Sequence, residues 1–125
     1  MYRHILLVED EPTLRRVIAR NLTARGLLVQ EAATAAAAVA AVLDQQPDLM
    51  LLDINLPDQT GWDVLRALRE RGIAVPTVIV SAVRVSQARI AEFKPLAYLP
   101  KPFPLEALLR IVEAGCHPAT GQALS

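Results

Sequence analysis

The chain is poor in cysteine and aromatic residues, has no excess charge of either sign, and contains no long apolar run. Its single cysteine, Cys116, cannot form an internal disulfide, and a chain of 125 residues buries enough surface to fold without one. Thirteen Lys and Arg residues balance thirteen Asp and Glu residues. These features exclude a disulfide scaffold and argue against a protein that mainly binds nucleic acid or anionic lipid.

Segments typical of membrane insertion and export are also lacking. The alanine-rich stretch from Ala32 to Leu43 is shorter than the roughly 18 apolar residues that a spanning helix needs. The apolar run after His4 is too short for a signal peptide. We therefore expect a soluble, cytoplasmic protein with one domain over residues 1–115 and a short polar tail over residues 116–125.

Short apolar runs alternate with amphipathic segments through five cycles, which is the pattern of repeated βα units. In chain order the runs are Ile5–Val8, Leu27–Val29, Leu49–Leu52, Val78–Val80 and Leu96–Leu99. The first, third and fourth are apolar at every position, which suits parallel strands buried on both faces, whereas the other two suit outer strands. The pattern predicts an α/β fold: a flavodoxin-like, doubly wound, five-stranded parallel sheet in the order 2-1-3-4-5, with helices on both faces.

Start signals mark most of the helices between these runs. Pro12 suits the first turn of the first helix, and Thr34 can cap the second. Thr60 and Asp63 have the spacing of a capping box that opens the third helix. The fourth helix is the weakest, because the segment from residue 86 to residue 93 offers only about two turns.

The predicted strands end in polar residues. Glu9 and Asp10 follow the first strand, Asp53 the third, Ser81 the fourth and Lys101 the fifth. Parallel strands present their carboxyl ends at one edge of the sheet, where ligands of such folds bind. Glu9 and Asp10 alone could equally cap the next helix. Three carboxylates that face one another, however, repel unless a positive charge lies between them.

This set of residues suits phosphoryl chemistry. Mg²⁺ prefers one or two carboxylates, keeps several waters and completes its shell with phosphate oxygens. In phosphoryl transfer to a carboxylate, cations offset the charge on the phosphoryl oxygens and a hydroxyl donates a hydrogen bond. Asp53 fits the nucleophile, Mg²⁺ with Lys101 the cations, and Ser81 the hydroxyl.

Four segments then resemble one known family in order and spacing. They are Leu7–Glu11, Leu51–Asp58 with Gly61, Val80–Ala82 and Tyr98–Phe103. From Ile5 to about Val112 the sequence resembles a response regulator receiver domain of two-component signalling, similar to CheY.

The resemblance implies a role for each site residue. Asp53 would accept a phosphoryl group from a sensor histidine kinase or a histidine phosphotransfer protein. Asp10 would bind Mg²⁺ directly together with Asp53, Glu9 would act through water or by orienting its surroundings, and Asn55 would offer its backbone carbonyl. Mg²⁺ is the one cofactor implied.

Three further implications concern the switch. Lys101 would contact the phosphoryl group, Ser81 would close on it, and Tyr98 would turn inward. The Lys101-Pro102 peptide would be cis. The module would not be an enzyme, although it would catalyse its own phosphorylation and dephosphorylation. It would pass the phosphoryl group onward in a phosphorelay or bind a target directly.

The implied partners follow from the same resemblance. The surface of the fourth helix, fifth strand and fifth helix would bind a downstream effector protein or an output domain missing from this chain. A phosphorylation-dependent homodimer is a further expected form, whereas direct nucleic-acid or membrane binding by this chain is not expected.

Other interpretations remain open from the residues alone. A phosphohydrolase with an aspartyl nucleophile would want a second Asp where Asn55 stands, and flavin binding would set phosphate against Glu9 and its acidic neighbours. A pseudo-receiver would bind partners without phosphorylation. Tyr98 could be a half-buried strand aromatic and Ser81 a loop cap, while Trp62 suits packing. His4 and the pair at residues 116–117 lack the spacing of a zinc site.

The sequence departs from the family pattern in four respects. The stretch from Ser81 to Tyr98 is a couple of residues short, and Lys94–Ala97 replaces a Gly-Ala pair, which puts the output surface in doubt. Pro100 is tolerable near the end of an edge strand. Our hypothesis for Val83, an apolar residue where the family often has a polar one, is that it slows loss of the phosphoryl group together with Asn55.

Overall fold

The computed structural model describes residues 2–114, in which five strands alternate with five helices. The strands are β1 (His4–Val8), β2 (Leu28–Ala32), β3 (Leu49–Asp53), β4 (Thr77–Ser81) and β5 (Ala97–Pro100). The helices are α1 (Pro12–Ala24), α2 (Ala35–Asp44), α3 (Gly61–Glu70), α4 (Gln87–Phe93) and α5 (Leu105–Ala114). The tail predicted at residues 116–125 lies outside the described residues, so its boundary stays a prediction.

The strands form one parallel sheet in the order β2-β1-β3-β4-β5, as predicted. Each residue of β3 and β4 is buried, which explains why these strands are apolar at almost every position. The weaker runs form the two edges. The register pairs Asp53 with Val80 and Ser81 with Pro100, so the ends of β3, β4 and β5 meet at one edge of the sheet.

Helices cover both faces of the sheet, which confirms the predicted layers. On one face α1 and α5 pack against Ile5, Leu7, Leu49, Leu51 and Val78. On the other face α2 and α3 pack against the alternate strand residues, among them Leu6, Met50, Leu52 and Ile79. Because side chains alternate across a strand, these continuous apolar runs supply both cores.

The predicted helix signals are present, with one change. Thr34 caps α2 and the Thr60 side chain forms a capping box with Asp63 at α3. The cap of α1 is Glu11, whose carboxylate accepts from the amides of Thr13 and Leu14. Glu9 and Asp10 therefore do not cap this helix and are left for the sheet edge.

The edge strands differ slightly from the predicted bounds. β2 begins at Leu28 and continues through two polar residues to Ala32, because Gln30 and Glu31 pair with β1 through their backbone. β5 begins at Ala97 and ends at Pro100, where the edge position tolerates a residue without an amide donor.

Helix α4 is short, as predicted, and contains no buried residue. Ser86 caps it, so the helix itself begins at Gln87. It ends at Phe93, and the residue that follows, Lys94, lies in the left-handed backbone region. Among residues 2–114 no helix has the length and apolar character required to cross a membrane.

Candidate functional site

Three carboxylates predicted from the strand ends meet at the edge of the sheet. Ligand oxygens of Glu9, Asp10 and Asp53 lie within 4.8 Å of one another. Glu9 and Asp53 are buried, whereas Asp10 is exposed. No hydrogen bond from residues 2–114 occupies the Asp10 carboxylate. The cluster therefore offers one free and two buried carboxylates to a cation.

Lys101 joins the two buried carboxylates. Its Nζ donates to Glu9 Oε1 at 2.8 Å and to Asp53 Oδ2 at 3.1 Å. The side chains of Glu9 and Asp53 are only 3% and 4% exposed, and that of Lys101 is 19% exposed. The backbone amide of Lys101 donates to the Ser81 carbonyl at 2.8 Å, and the Lys101-Pro102 peptide is cis, as predicted.

Burial and charge together set the protonation of this cluster. Burial raises the pKa of the Glu9 carboxyl, the hydrogen bond from Lys101 opposes that rise, and the Asp53 charge adds to it. Burial alone would lower the pKa of Lys101, but its hydrogen bonds to Glu9 and Asp53 outweigh that effect and the pKa is raised. Lys101 therefore keeps its positive charge at neutral pH, where it offsets the carboxylates.

Asp53 is the last residue of β3, and the loop after it controls its surroundings. The Asn55 amide donates to Asp53 Oδ1 at 3.1 Å. Gly61 approaches the same backbone so closely that a Cβ there would lie 2.6 Å from the Asp53 carbonyl oxygen. Asn55 itself is exposed at the mouth of the site.

Ser81 and Tyr98 share one acceptor in this structure. The Ser81 hydroxyl donates to the Val83 carbonyl at 2.9 Å and accepts from the Val83 amide at 3.1 Å. The Tyr98 hydroxyl donates to the same carbonyl at 3.4 Å. Ser81 thus acts here as the loop cap considered above, and Tyr98 is half-buried. Their roles toward a phosphoryl group stay predictions.

The donor set fits a hard divalent cation. Three carboxylates within ligand distance of one another match the oxygen ligands that Mg²⁺ takes, and the exposed Asp10 leaves one side open to water. Lys101 already balances part of the charge of the two buried members. The cluster can therefore accept a cation without assembling a new site.

Sequence reasoning missed two residues that hold this edge in place. The Arg15 guanidinium donates to the Glu9 carbonyl at 2.9 Å and also pairs with Glu31. The only sequence signal for it is an arginine one turn into the helix that follows the acidic pair. Asp58 accepts from amides at the start of α2, a contact across 23 residues that no local pattern indicates.

The residues assigned no chemistry behave accordingly. Trp62 is buried and stacks on Phe93, with ring centroids 5.4 Å apart. His4 begins β1, and the only cluster of three or more metal-ligating side chains in the described part of the chain is the acidic one. Residues 116 and 117 lie outside that part.

Comparison with known proteins identifies the family. A family model described as the response regulator receiver domain matches residues 5–113. The chain belongs to this family. It is therefore a module of two-component signalling, and receiver domains of response regulators are not enzymes in the ordinary sense. This membership removes the ground for the phosphohydrolase and flavin interpretations.

Curated relatives support the assignment. The chain is 35% identical to the transcriptional regulatory protein KdpE of Mycobacterium tuberculosis over 121 residues, which are 95% of this chain and 53% of that protein. It is 37% identical to the response regulator protein PmrA of Pseudomonas aeruginosa over 122 residues, 96% of this chain and 55% of that protein. The chain thus spans about half the length of these relatives.

Solved structures share the fold. The non-phosphorylated HemR receiver domain of Leptospira biflexa has a TM-score of 0.81 and 29% identity, covering 89% of this chain and 91% of that one. The response regulator TrrA of Thermotoga maritima, solved in complex with Mg²⁺ and BeF, has a TM-score of 0.77 and 23% identity, with coverages of 89% and 96%. At that identity the second likeness shows the fold alone.

Proposed function

We propose that this receiver domain accepts a phosphoryl group on Asp53, in a Mg²⁺-dependent reaction, from the phosphohistidine of a sensor histidine kinase or phosphotransfer protein. One observation carries the proposal: the Lys101 ammonium lies 3.1 Å from the carboxylate of Asp53, beside the cluster of Glu9 and Asp10. A nucleophilic carboxylate, a fixed cation and free acidic ligands are the parts that this transfer needs.

The reaction balances without any other reactant. A carboxylate oxygen of Asp53 attacks the phosphorus atom, a P–O bond forms, and the P–N bond to the donor imidazole breaks. The imidazole nitrogen keeps the electron pair of that bond. Lys101 holds its protons throughout and contacts the phosphoryl oxygens as their charge is transferred, because its raised pKa keeps it cationic.

Glu9, Asp10, Asp53 and the backbone carbonyl of Asn55 would hold the metal. Bound there, Mg²⁺ would neutralise charge on the phosphoryl oxygens and let an anionic donor approach an anionic pocket. Asp10 is the ligand best placed to bind first, since its carboxylate is exposed and unbonded within residues 2–114. Glu9 accepts from Lys101 and from the Glu11 amide, which supports an indirect or orienting role.

The proposed switch begins at Ser81. In the structure described its hydroxyl is bonded to Val83, so closing on a phosphoryl group requires that bond to break. The Val83 carbonyl then loses one donor, and the loop that also contacts Tyr98 is released. Tyr98 lies on β5, so a change of its position alters the surface of α4, β5 and α5.

That surface is the proposed binding site for a downstream effector or an output domain, and for a second copy of the phosphorylated chain. KdpE of M. tuberculosis is named a transcriptional regulatory protein. Because this chain spans about half of that protein, we propose control of transcription for the signalling pathway and not for this chain alone. The chain itself would act in the cytoplasm, where histidine kinases expose their phosphohistidine.

Beryllium fluoride, a phosphoryl mimic that binds an aspartate carboxylate, tests the switch. We expect Mg²⁺ and beryllium fluoride together to shift the amide resonances of Ser81 to Val83 and the Tyr98 ring, and neither alone to complete the change. An Asp53→Asn variant should not respond, whereas Asp44→Asn, on the exposed end of α2, should behave as the parent. An unresponsive parent would contradict the proposal.

A further inference from the structure

The loop between β3 and α3, residues 54–60, is hydrogen-bonded at its tip to the start of helix α2. Asp58 Oδ1 accepts from the Ala35 amide at 2.8 Å, and Asp58 Oδ2 accepts from the Ala36 amide at 3.0 Å. These are two of the amides that the first turn of α2 cannot bond internally. Both oxygens of one side chain are therefore committed to α2.

The base of the same loop is closed next to Asp53. The Gly61 amide donates to the Ile54 carbonyl at 2.8 Å, and Asn55 and Thr60 form an isolated antiparallel bridge. Gly61 leaves no room for a side chain beside the Asp53 carbonyl. Because hydrogen bonds fix the loop at both its base and its tip, few backbone conformations remain open to it. We therefore expect loss of the Asp58 contacts to alter the backbone position of Asn55.

The anchor for the tip is firm. Ala35, Ala38, Ala41 and Val42 of α2 are buried in the core. The residue that ends β2, Ala32, accepts through its carbonyl from the Glu9 amide at 3.0 Å. The start of α2 thus lies at the same corner as the acidic pair and the β3–α3 loop.

We propose that Asp58 is a positioning residue for the phosphorylation site. By clamping the loop to α2 it fixes the Asn55 backbone, whose amide donates to Asp53 and whose carbonyl is one of the ligands proposed above for Mg²⁺. The inference rests on the proposed function, because it concerns the ligands of that site. The hydrogen bonds from Ala35 and Ala36 lower the pKa of Asp58, which keeps the clamp ionised at neutral pH.

A purely structural role for Asp58 is the competing explanation, since capping α2 would stabilise the fold without affecting the site. Thr34 supplies the matched control. Its Oγ accepts from the Ala37 amide at 3.0 Å, so it caps the same turn of the same helix from outside the loop. A Thr34→Ala variant weakens α2 and leaves the loop clamp intact.

Two measurements separate these explanations. Amide hydrogen exchange without metal should speed up at Asn55 and Gly61 in Asp58→Ala and stay at the parent rate in Thr34→Ala. Mg²⁺ titration followed by the fluorescence of Trp62, the single tryptophan, should show several-fold weaker binding in Asp58→Ala alone. This loss of Mg²⁺ affinity should be smaller than the roughly 10- to 100-fold loss that is typical when a group in direct contact with a metal-ligating residue is removed. Asp58→Asn, which retains one acceptor oxygen, should recover part of it.

The outcomes are distinct. Faster exchange and weaker Mg²⁺ binding confined to the Asp58 variants would support the inference. If Thr34→Ala and Asp58→Ala change amide exchange and Mg²⁺ affinity to the same extent, the positioning role is overturned and the proposed function stands. The same holds if Asp58→Ala binds Mg²⁺ as tightly as the parent does. A parent that binds no Mg²⁺ would overturn both.

Discussion

The ammonium group of Lys101 lies between the carboxylates of Asp53 and Glu9, at 3.1 Å and 2.8 Å. It occupies oxygens of the same cluster that would hold a metal. The lysine therefore has two opposed effects. It favours a phosphoryl group on Asp53, and it competes electrostatically with a divalent cation at the neighbouring carboxylates.

Replacing this lysine should separate the two effects. In Lys101→Met, Mg²⁺ should bind roughly tenfold more tightly, equivalent to about 1.4 kcal/mol. That is well below the ~4 kcal/mol between unit charges 4 Å apart at an effective dielectric of 20. Phosphorylation by a small-molecule donor should nevertheless fall steeply. Calorimetric Mg²⁺ titration and phosphorylation rates measure the two.

The matched control is Lys94→Met, which removes the same charge from the only other lysine in the chain. Lys94 follows α4, away from the acidic cluster. Its removal should change neither Mg²⁺ affinity nor phosphorylation. Weaker Mg²⁺ binding in Lys101→Met would show that the lysine organises the carboxylates more than it competes for them.

Val83 is expected to prolong the phosphorylated state. Val83 lies two residues after Ser81, in the loop that follows β4, and its side chain is half exposed. That apolar side chain gives an attacking water no hydrogen-bond partner. A Val83→Glu variant should therefore lose its phosphoryl group faster than the parent. Val17→Glu, at a similarly exposed valine on α1, is the control. Equal decay rates of parent and Val83→Glu, followed after donor removal, would count against the hypothesis.

Gly61 is required by space. A methyl group there would meet the Asp53 carbonyl and the Ile54 side chain, so Gly61→Ala should lower the free energy of unfolding by about 1–3 kcal/mol and impair phosphorylation. Gly26→Ala has open space but a φ of +83°, and it should lose about 1–2 kcal/mol through strain alone. Urea unfolding with a phosphorylation assay distinguishes them. Normal phosphorylation in Gly61→Ala would refute the requirement.

Asp48 should make stability depend on pH in the acid range. Its Oδ2 accepts from the amides of His4 and Arg3, and these bonds lower the pKa of the Asp48 carboxyl. A lowered folded-state pKa stabilises the protein above the ordinary pKa of Asp, and that contribution is lost as pH falls through the folded-state value.

Denaturant unfolding of parent and Asp48→Asn between pH 7 and pH 2.5 checks this. The variant should be less stable at pH 7, and the difference should shrink below about pH 4. Asp44→Asn serves as the charge-matched control. A difference that stays constant with pH would mean that the Asp48 charge contributes nothing.

The fold could be predicted from the sequence because the residues that form the two cores lie in short, continuous apolar runs. Strands β3 and β4 are apolar at almost every position because both of their faces are buried, and Thr34 and Thr60 cap the helices that they precede. The edge strands were less well bounded, because Gln30 and Glu31 pair through backbone atoms that carry no sequence signal.

The candidate site was predictable to the level of residue types. Order along a parallel sheet was enough to bring Glu9, Asp53 and Lys101 together. The hydrogen bonds that surround the site were not predictable, because they depend on loop conformation and on contacts between distant segments. The bond from the Ser81 hydroxyl to the Val83 carbonyl depends on the loop conformation, and the bond from the Ala35 amide to Asp58 depends on the packing of α2 beside the β3–α3 loop.

Intact mass after incubation with acetyl phosphate, with and without Mg²⁺, tests the central claim most directly. The account predicts that the parent gains one phosphoryl group, stable in acid and labile in alkali, only when Mg²⁺ is present. It predicts no gain for Asp53→Asn. A parent that gains no mass, while a known receiver domain treated in parallel is phosphorylated, would contradict the account and favour a receiver that binds partners without phosphorylation.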